Sequence, residues 1–414
     1  MRGVFWVCSI LLLSLLPGEL VESDGLEEIA WPEGSNAYDN MVSMTEFGYR
    51  KIDTSANENN RNWIASELEA MGYEVERQPF TTSECSNCEN IVVTIPGHIS
   101  DEWIVVGAHH DAICYSPPPL IGITYAGCSS SGAYDDGTGS GSLLELARVF
   151  AQWNTTPEHT WKLAWWDYEE WQGSGSSEGG GMGSLHFVQE QIPPDVEVTY
   201  INLDMFALNW PVPTPAASQA GGCDEDYWTL YMFTSPEEDW SYYEERGLEV
   251  TEDMRLNATS LQSKLRDANT ELEHPTEWVR VIDDTKGNSD HYNFIMAGYA
   301  ATWLRGQHQY IMEEGDSCEQ TPKHAQSDSV TTLNTLAGGR GGVESGLQTG
   351  LDVIATLAMW DRNASSIDEE PLVEGYSDDG ILSGTLVISS SLIAAIILLF
   401  MLLRRRNIED YNES

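Results

Sequence analysis

The sequence predicts one α/β domain with a mixed, mostly parallel central sheet flanked by helices, preceded by an export signal and followed by a membrane-spanning helix. Three observations predict it. Strand and helix signals alternate over about 340 residues, which suits one large domain better than two small ones. Several apolar strand runs end in His, Asp or Glu, as expected at the edge where an open α/β sheet binds ligands. Both ends of the chain carry apolar runs unlike anything between them.

Residues 1–23 read as the export signal. Arg2 supplies the positive flank, Val4 to Leu16 a short apolar run, and Val21-Glu22-Ser23 a cleavage point. The domain is expected over 24–360. A helix is predicted over Asn60–Met71, with Trp63, Ile64, Leu68 and Met71 at helical spacing and Gly72 closing it. Tyr73–Arg77 then alternates as a strand. Further strands are predicted at Ile91–Ile95, Trp103–Ala108, Trp161–Trp166, Val198–Leu203, Trp228–Phe233, Trp278–Ile282 and Ala300–Leu304. Helices are predicted at Gly139–Trp153, Leu261–Leu272 and Val343–Met359.

From about Asp361 to Gly380 the chain turns acidic and poor in hydrophobics, which reads as a stalk. Ile381 to Leu403 is uncharged and, at about 1.5 Å per residue, long enough to cross a hydrocarbon core of about 30 Å. Arg404, Arg405 and Arg406 follow, so the tail 404–414 is expected on the cytoplasmic side and the domain outside.

Composition fits an extracytoplasmic domain. The formal charge is −46, with 66 acidic residues against 20 basic ones, which excludes a nucleic-acid partner. Hydrophobic residues make up 41% of the chain, with 15 tryptophans, so it is no disordered acidic tail. Six cysteines follow the signal, enough for up to three disulfides. Proximity favours Cys85–Cys88, Cys114–Cys128 and Cys223–Cys318; a zinc knuckle at Cys85-Ser-Asn-Cys88 lacks a second CxxC or a His pair. Asn154, Asn257 and Asn363 head Asn-x-Ser/Thr sequons.

The chemistry lies where strands stop. Trp103–Ala108 runs into His109-His110-Asp111, and in a His-x-Asp spacing the carboxylate can orient a metal-ligating imidazole. Asp135-Asp136 sits in a glycine-flanked turn before a helix, where a carboxylate either bridges cations or caps the helix. Trp161–Trp166 empties into Asp167-Tyr168-Glu169-Glu170, two adjacent glutamates able to divide metal binding from proton transfer. Asp204 ends the strand Val198–Leu203, and His324-Ala-Gln-Ser-Asp328 adds a second His–Asp pair. Two His and three carboxylates form an N/O set suited to paired zinc ions, with Glu169 left as base.

This ordered set closely resembles the co-catalytic zinc aminopeptidase and glutamate-carboxypeptidase family of peptidase clan MH. The likeness runs from about Phe47 to Met359 and includes Asn60–Val75, Asn90–Gly97 and Ser289-Asp290-His291 through Gly298. The resemblance implies two Zn²⁺ ions. His109 and Asp204 would hold one, Glu170 and His324 the other, and Asp135 would bridge them. Asp111 would orient His109, Glu169 would be general base and acid, and Asp290 and His291 would line the site. The implied activity is an exopeptidase acting on peptides, an aminopeptidase first. A carboxypeptidase of the same family, distinguished by a basic residue such as Arg305 or Lys323, comes second; a glutaminyl cyclase or a non-catalytic receptor-like ectodomain follows. The chain departs from the family in a long stretch between Asp111 and Asp135 containing Pro117-Pro-Pro119, and in a glycine-rich insertion after Glu170. Lys323 stands where some relatives carry a tyrosine that assists the oxyanion.

Overall fold

Strands rich in Val, Ile and Trp form the centre of the sheet because both of their faces must be covered. A computed structural model of the chain describes residues 29–115, 128–173, 176–206, 230–272, 279–306 and 322–367. Its strands are β1 Val75–Phe80, β2 Cys88–Ile95, β3 Ile99–His109, β4 His159–Trp166, β5 Glu197–Leu203, β6 Leu230–Thr234, β7 Val279–Asp283 and β8 Ala300–Arg305. They make one eight-stranded sheet in the order β1-β2-β4-β3-β5-β8-β6-β7. Of its seven neighbouring pairs, β3–β4, β3–β5, β5–β8 and β6–β7 are parallel and the other three antiparallel.

The predicted strands and helices recur with shifted ends. The helix Ser55–Ala70 starts earlier than its apolar spacing suggested, because the Thr54 hydroxyl accepts the Asn57 N–H and caps it. The helix Glu252–Glu271 likewise begins at a Thr251 cap, about two and a half turns before the predicted start at Leu261. The helix Thr138–Phe150 packs on Gly34–Thr45, which apolar periodicity had left unassigned. The two approach so closely at Gly141 that a Cβ there would lie 2.7 Å from the Met41 amide nitrogen.

Trp161, Trp165 and Trp166 of β4 are fully buried between the sheet and its helices. Each such ring removes about 150–250 Å² from water, about 4–6 kcal/mol at about 25 cal/mol per Å² before entropy is subtracted.

One boundary is corrected. The last helix spans Arg340–Ile367, so the stalk does not begin at Asp361. Asp361 is buried and accepts hydrogen bonds from Trp161 Nε1 at 2.8 Å and from the His159 amide at 3.2 Å, fastening the helix to the start of β4. Its acidic neighbours in the sequence gave no sign of that contact. The expected disulfides Cys85–Cys88 and Cys114–Cys128 are formed, while Cys223 and Cys318 lie outside the described residues. The export signal 1–23, the span 381–403 and the tail 404–414 also lie outside them. Among the described residues no helix is long and apolar enough to cross a membrane.

Candidate metal and catalytic site

β3, β4, β5 and β8 end side by side, and the residues just past those ends converge. His109 is the last residue of β3 and is fully buried. Its Nε2 lies 3.1 Å from Asp135 Oδ1 and 3.7 Å from Asp204 Oδ1. His324 Nε2 lies 3.1 Å from Asp135 Oδ2 and 3.0 Å from Glu170 Oε2. The five residues expected as ligands therefore form one cluster, with Asp135 in its middle.

The backbone around the cluster is held by three further carboxylates. Asp111, 3.3 Å from His109 Nδ1, accepts the Glu169 and Glu170 amides at 3.0 and 3.2 Å. Asp328 accepts the Tyr134 and Asp135 amides at 2.7 and 3.2 Å, so the second His–Asp pair does not work as the first does. Asp136 accepts the Gly139 and Met205 amides at 2.9 and 3.1 Å. The two aspartates of the pair are used differently: Asp136 caps the helix and ties in the Asp204 turn, while Asp135 faces the cluster. Asp136, Asp204 and His109 also lie close enough together to share an ion.

Several of these turns use left-handed backbone at residues with side chains: Tyr168 at φ 60°, Met205 at 52° and His324 at 56°. His324 belongs to the cluster, Met205 follows Asp204 and Tyr168 precedes Glu169, and strained backbone collects at such sites.

The donor set fits a divalent metal. Asp135 Oδ2, Glu170 Oε1 and Asp204 Oδ1 are buried without a hydrogen-bond partner. Buried carboxylates this close together repel one another unless cations or protons intervene. Burial, with Asp135 beside it, pushes the Glu170 carboxyl up to about 7. Burial raises Glu169 as well, and the carboxylates of Asp204, Asp290 and Glu170 add to it. Burial alone would lower the His109 imidazole, but the carboxylates of Asp111, Asp135 and Asp204 around it raise it well above its usual range.

A cleft of about 470 Å³ opens onto the cluster, lined by Asp135, Glu169, Glu170, Asp204 and His324 together with Arg305 and Lys323. Ser289, Tyr292 and Asn293 also line it. Asp290 and His291 were expected there, and that expectation is corrected. Both are fully buried behind the wall, Asp290 bonded to Ser184 and His291 Nε2 to Asp284 at 2.8 Å. The motif instead contributes Ser289, whose hydroxyl donates to Asp204 Oδ2 at 2.5 Å. His110 points away from the cluster, toward the Glu89 carbonyl at 3.3 Å.

Tyr115 escaped the sequence reading. It meets the His324 ring edge-on at 5.1 Å and its hydroxyl donates to the Trp171 carbonyl. Only its place beside Cys114, in the long stretch after Asp111, pointed to the rim. The other rim comes from the glycine-rich segment after Glu170. A Cβ at Gly180 would lie 2.0 Å from the Glu169 carbonyl oxygen, so only glycine fits there. That segment is fastened at Glu84, which accepts bonds from Ser176 Oγ at 2.7 Å, the Ser177 amide at 2.6 Å and Tyr168 Oη at 3.0 Å.

Comparison with known proteins agrees with this arrangement. The profile of peptidase family M28 matches residues 90–337. Leucine aminopeptidase 1 of Paracoccidioides brasiliensis is 26% identical over 168 residues, 37% of this chain and 40% of that protein. The match therefore spans less than half of that relative's length. Among solved structures, Porphyromonas gingivalis glutaminyl cyclase is similar with a TM-score of 0.57 and 17% identity, covering 80% of this chain and 99% of that one. A leucine aminopeptidase precursor from Bacteroides thetaiotaomicron is similar with a TM-score of 0.55 and 18% identity, covering 79% and 98%. At these identities the structures share the fold.

Proposed function

The chain belongs to peptidase family M28, and from that premise we propose that it is a zinc-dependent aminopeptidase, removing N-terminal residues from peptides outside the membrane that anchors it. One observation carries the reading: the two oxygens of Asp135 face two different histidines, as a carboxylate shared by two ions must. In this reading His109 and Asp204 would hold one zinc, Glu170 and His324 would hold the other, and Asp135 would be shared. Bound zinc supplies Lewis acidity, which acidifies water and polarises a peptide carbonyl. Glu169, on the cleft wall and held by its amide on Asp111, takes the proton from the attacking water and returns it to the leaving amine. Asp111 fixes the His109 tautomer through Nδ1.

The anchor is residues 381–403, with 404–414 inside the cell and residues 24–367 outside; the uncharged run, the arginines after it and two disulfides support this placement. A carboxypeptidase is the second reading, favoured by Arg305 and Lys323 on the cleft wall. The deciding experiment is hydrolysis of N-terminally free, N-acetylated and C-terminally amidated peptides by the full chain with added zinc. Cleavage of free but not acetylated peptides is expected. Cleavage that requires a free C-terminus would establish the second reading, and cyclisation of N-terminal glutamine without hydrolysis would make the protein a cyclase. Full activity in the soluble fraction of lysed cells would remove the membrane anchor.

A further inference from the structure

We propose that Asn154, Asn257 and Asn363 carry N-linked glycans on the edge of the sheet opposite the cleft, and that the Asn154 glycan seats its first sugars in an apolar groove beside Trp153. The proposal rests on the reading that the domain is exported.

All three asparagines are exposed. Asn154 lies in the loop that leads into β4. Asn363 follows Asp361 and Arg362, which bind the His159 amide and the Thr155 carbonyl at the start of the same strand. Asn257 lines a groove with Glu102, Trp103, Glu197 and Val198, where β3 and β5 begin. Every sequon is therefore at the start of the parallel strands, while the cluster lies past their ends. A strand of eight residues such as β4 separates the two edges by about 25 Å, at about 3.3 Å per residue. Bulky polar chains on this edge leave the cleft open.

The groove at Asn154 has a volume of about 320 Å³ and is lined by Ile29, Trp153 and Met359, with Asn154 and Asn363 at its sides. Ile29 is 59% exposed and gives this groove an apolar wall beside Trp153 and Met359. The Trp153 ring is held in place: Nε1 donates to the Ala30 carbonyl at 2.7 Å, Phe150 lies at 4.9 Å, and the Arg362 guanidinium sits 4.7 Å from the ring centroid. A fixed, half-exposed indole suits the C–H face of a pyranose, and the sequon places the sugar next to it.

The chemistry is a group transfer from a lipid-linked oligosaccharide. The asparagine amide nitrogen forms a bond to sugar C1, the bond from C1 to the lipid phosphate oxygen breaks, and the amide loses one proton as the lipid phosphate leaves. An oligosaccharyltransferase of the exporting membrane supplies catalysis.

The test is production of the full chain in a secreting eukaryotic cell, followed by N-terminal sequencing, glycopeptide mass spectrometry and hydrogen exchange before and after enzymatic removal of N-glycans. Removal of the leader and three occupied asparagines are expected, with one glycan lost in each of Asn154→Gln, Asn257→Gln and Asn363→Gln and peptide turnover changed by less than about twofold. Exchange in 150–156 should rise on glycan removal and in Asn154→Gln, but not in Asn257→Gln. A chain that has lost its leader but carries no sugar at Asn154 overturns the proposal. Occupied Asn154 with unchanged exchange overturns the seat in the groove. A chain that keeps its leader and carries no sugar overturns the export reading and this proposal with it.

Discussion

Asp111 stands behind His109, its Oδ1 3.3 Å from Nδ1, and the same carboxylate holds the amides of Glu169 and Glu170. One side chain therefore braces His109 at the end of β3 and the Glu169–Glu170 backbone after β4, the proposed ligand, base and ligand. Asp111→Asn keeps the size but loses the charge. Zinc affinity is expected to fall about 10–100-fold, measured by competition with a chelator, as for other groups that orient a ligating imidazole. Unchanged affinity would mean that Asp111 serves only the backbone.

The adjacent glutamates are expected to separate chemistry from metal binding. Glu169→Gln is close to isosteric and should keep its full zinc content, yet an amide cannot take a proton from water. Turnover should drop by about 10²–10⁴ while KM changes little. Near-normal kcat with zinc bound would place the base elsewhere.

Zinc content should distinguish the ligands themselves. Glu170→Ala removes a donor near His324 only and should leave one equivalent of zinc by elemental analysis, whereas Asp135→Ala, which faces both histidines, should leave less. Chelation followed by zinc should restore activity to the native chain but to neither variant. Equal stoichiometry in the two variants would rule out a bridging role for Asp135.

His159 makes stability depend on pH. Its Nδ1 pairs with Asp361 and its Nε2 lies 3.2 Å from Glu102, and the Asp361 hydrogen bond raises the imidazole above its usual range despite partial burial. A raised folded-state value stabilises fully below the unfolded value, about 6.5, and the gain is lost as pH rises through the folded value. The Tm gap between the native chain and His159→Gln should therefore be widest below about pH 6.5 and shrink as pH rises above it. A gap independent of pH would assign His159 a packing role alone.

Much of this site was legible because its chemistry is local. Three of the five expected ligands, His109, Glu170 and Asp204, lie at or just past the end of an apolar strand and could be placed on one edge without knowing the strand order. The division between Asp135 and Asp136 was not legible, since both are aspartates in one turn and only the Gly139 and Met205 amides tell them apart. Asp328 was misjudged for a similar reason: its spacing from His324 suggested a partnership, but its bonds reach back to Tyr134 and Asp135, nearly 200 positions away. The helix Gly34–Thr45 was missed although its buried residues Ala37, Tyr38, Met41 and Met44 fall at helical spacing; the small and polar residues between them hid the stripe.

The bonds from Glu84 to Tyr168, Ser176 and Ser177 make the rim after Glu170 a dependant of the Cys85–Cys88 hairpin at the sheet's margin. Tyr168 also lies in the turn that carries Glu169 and Glu170, so the rim and the carboxylate cluster hang from one margin of the sheet. A change at that hairpin is transmitted to both.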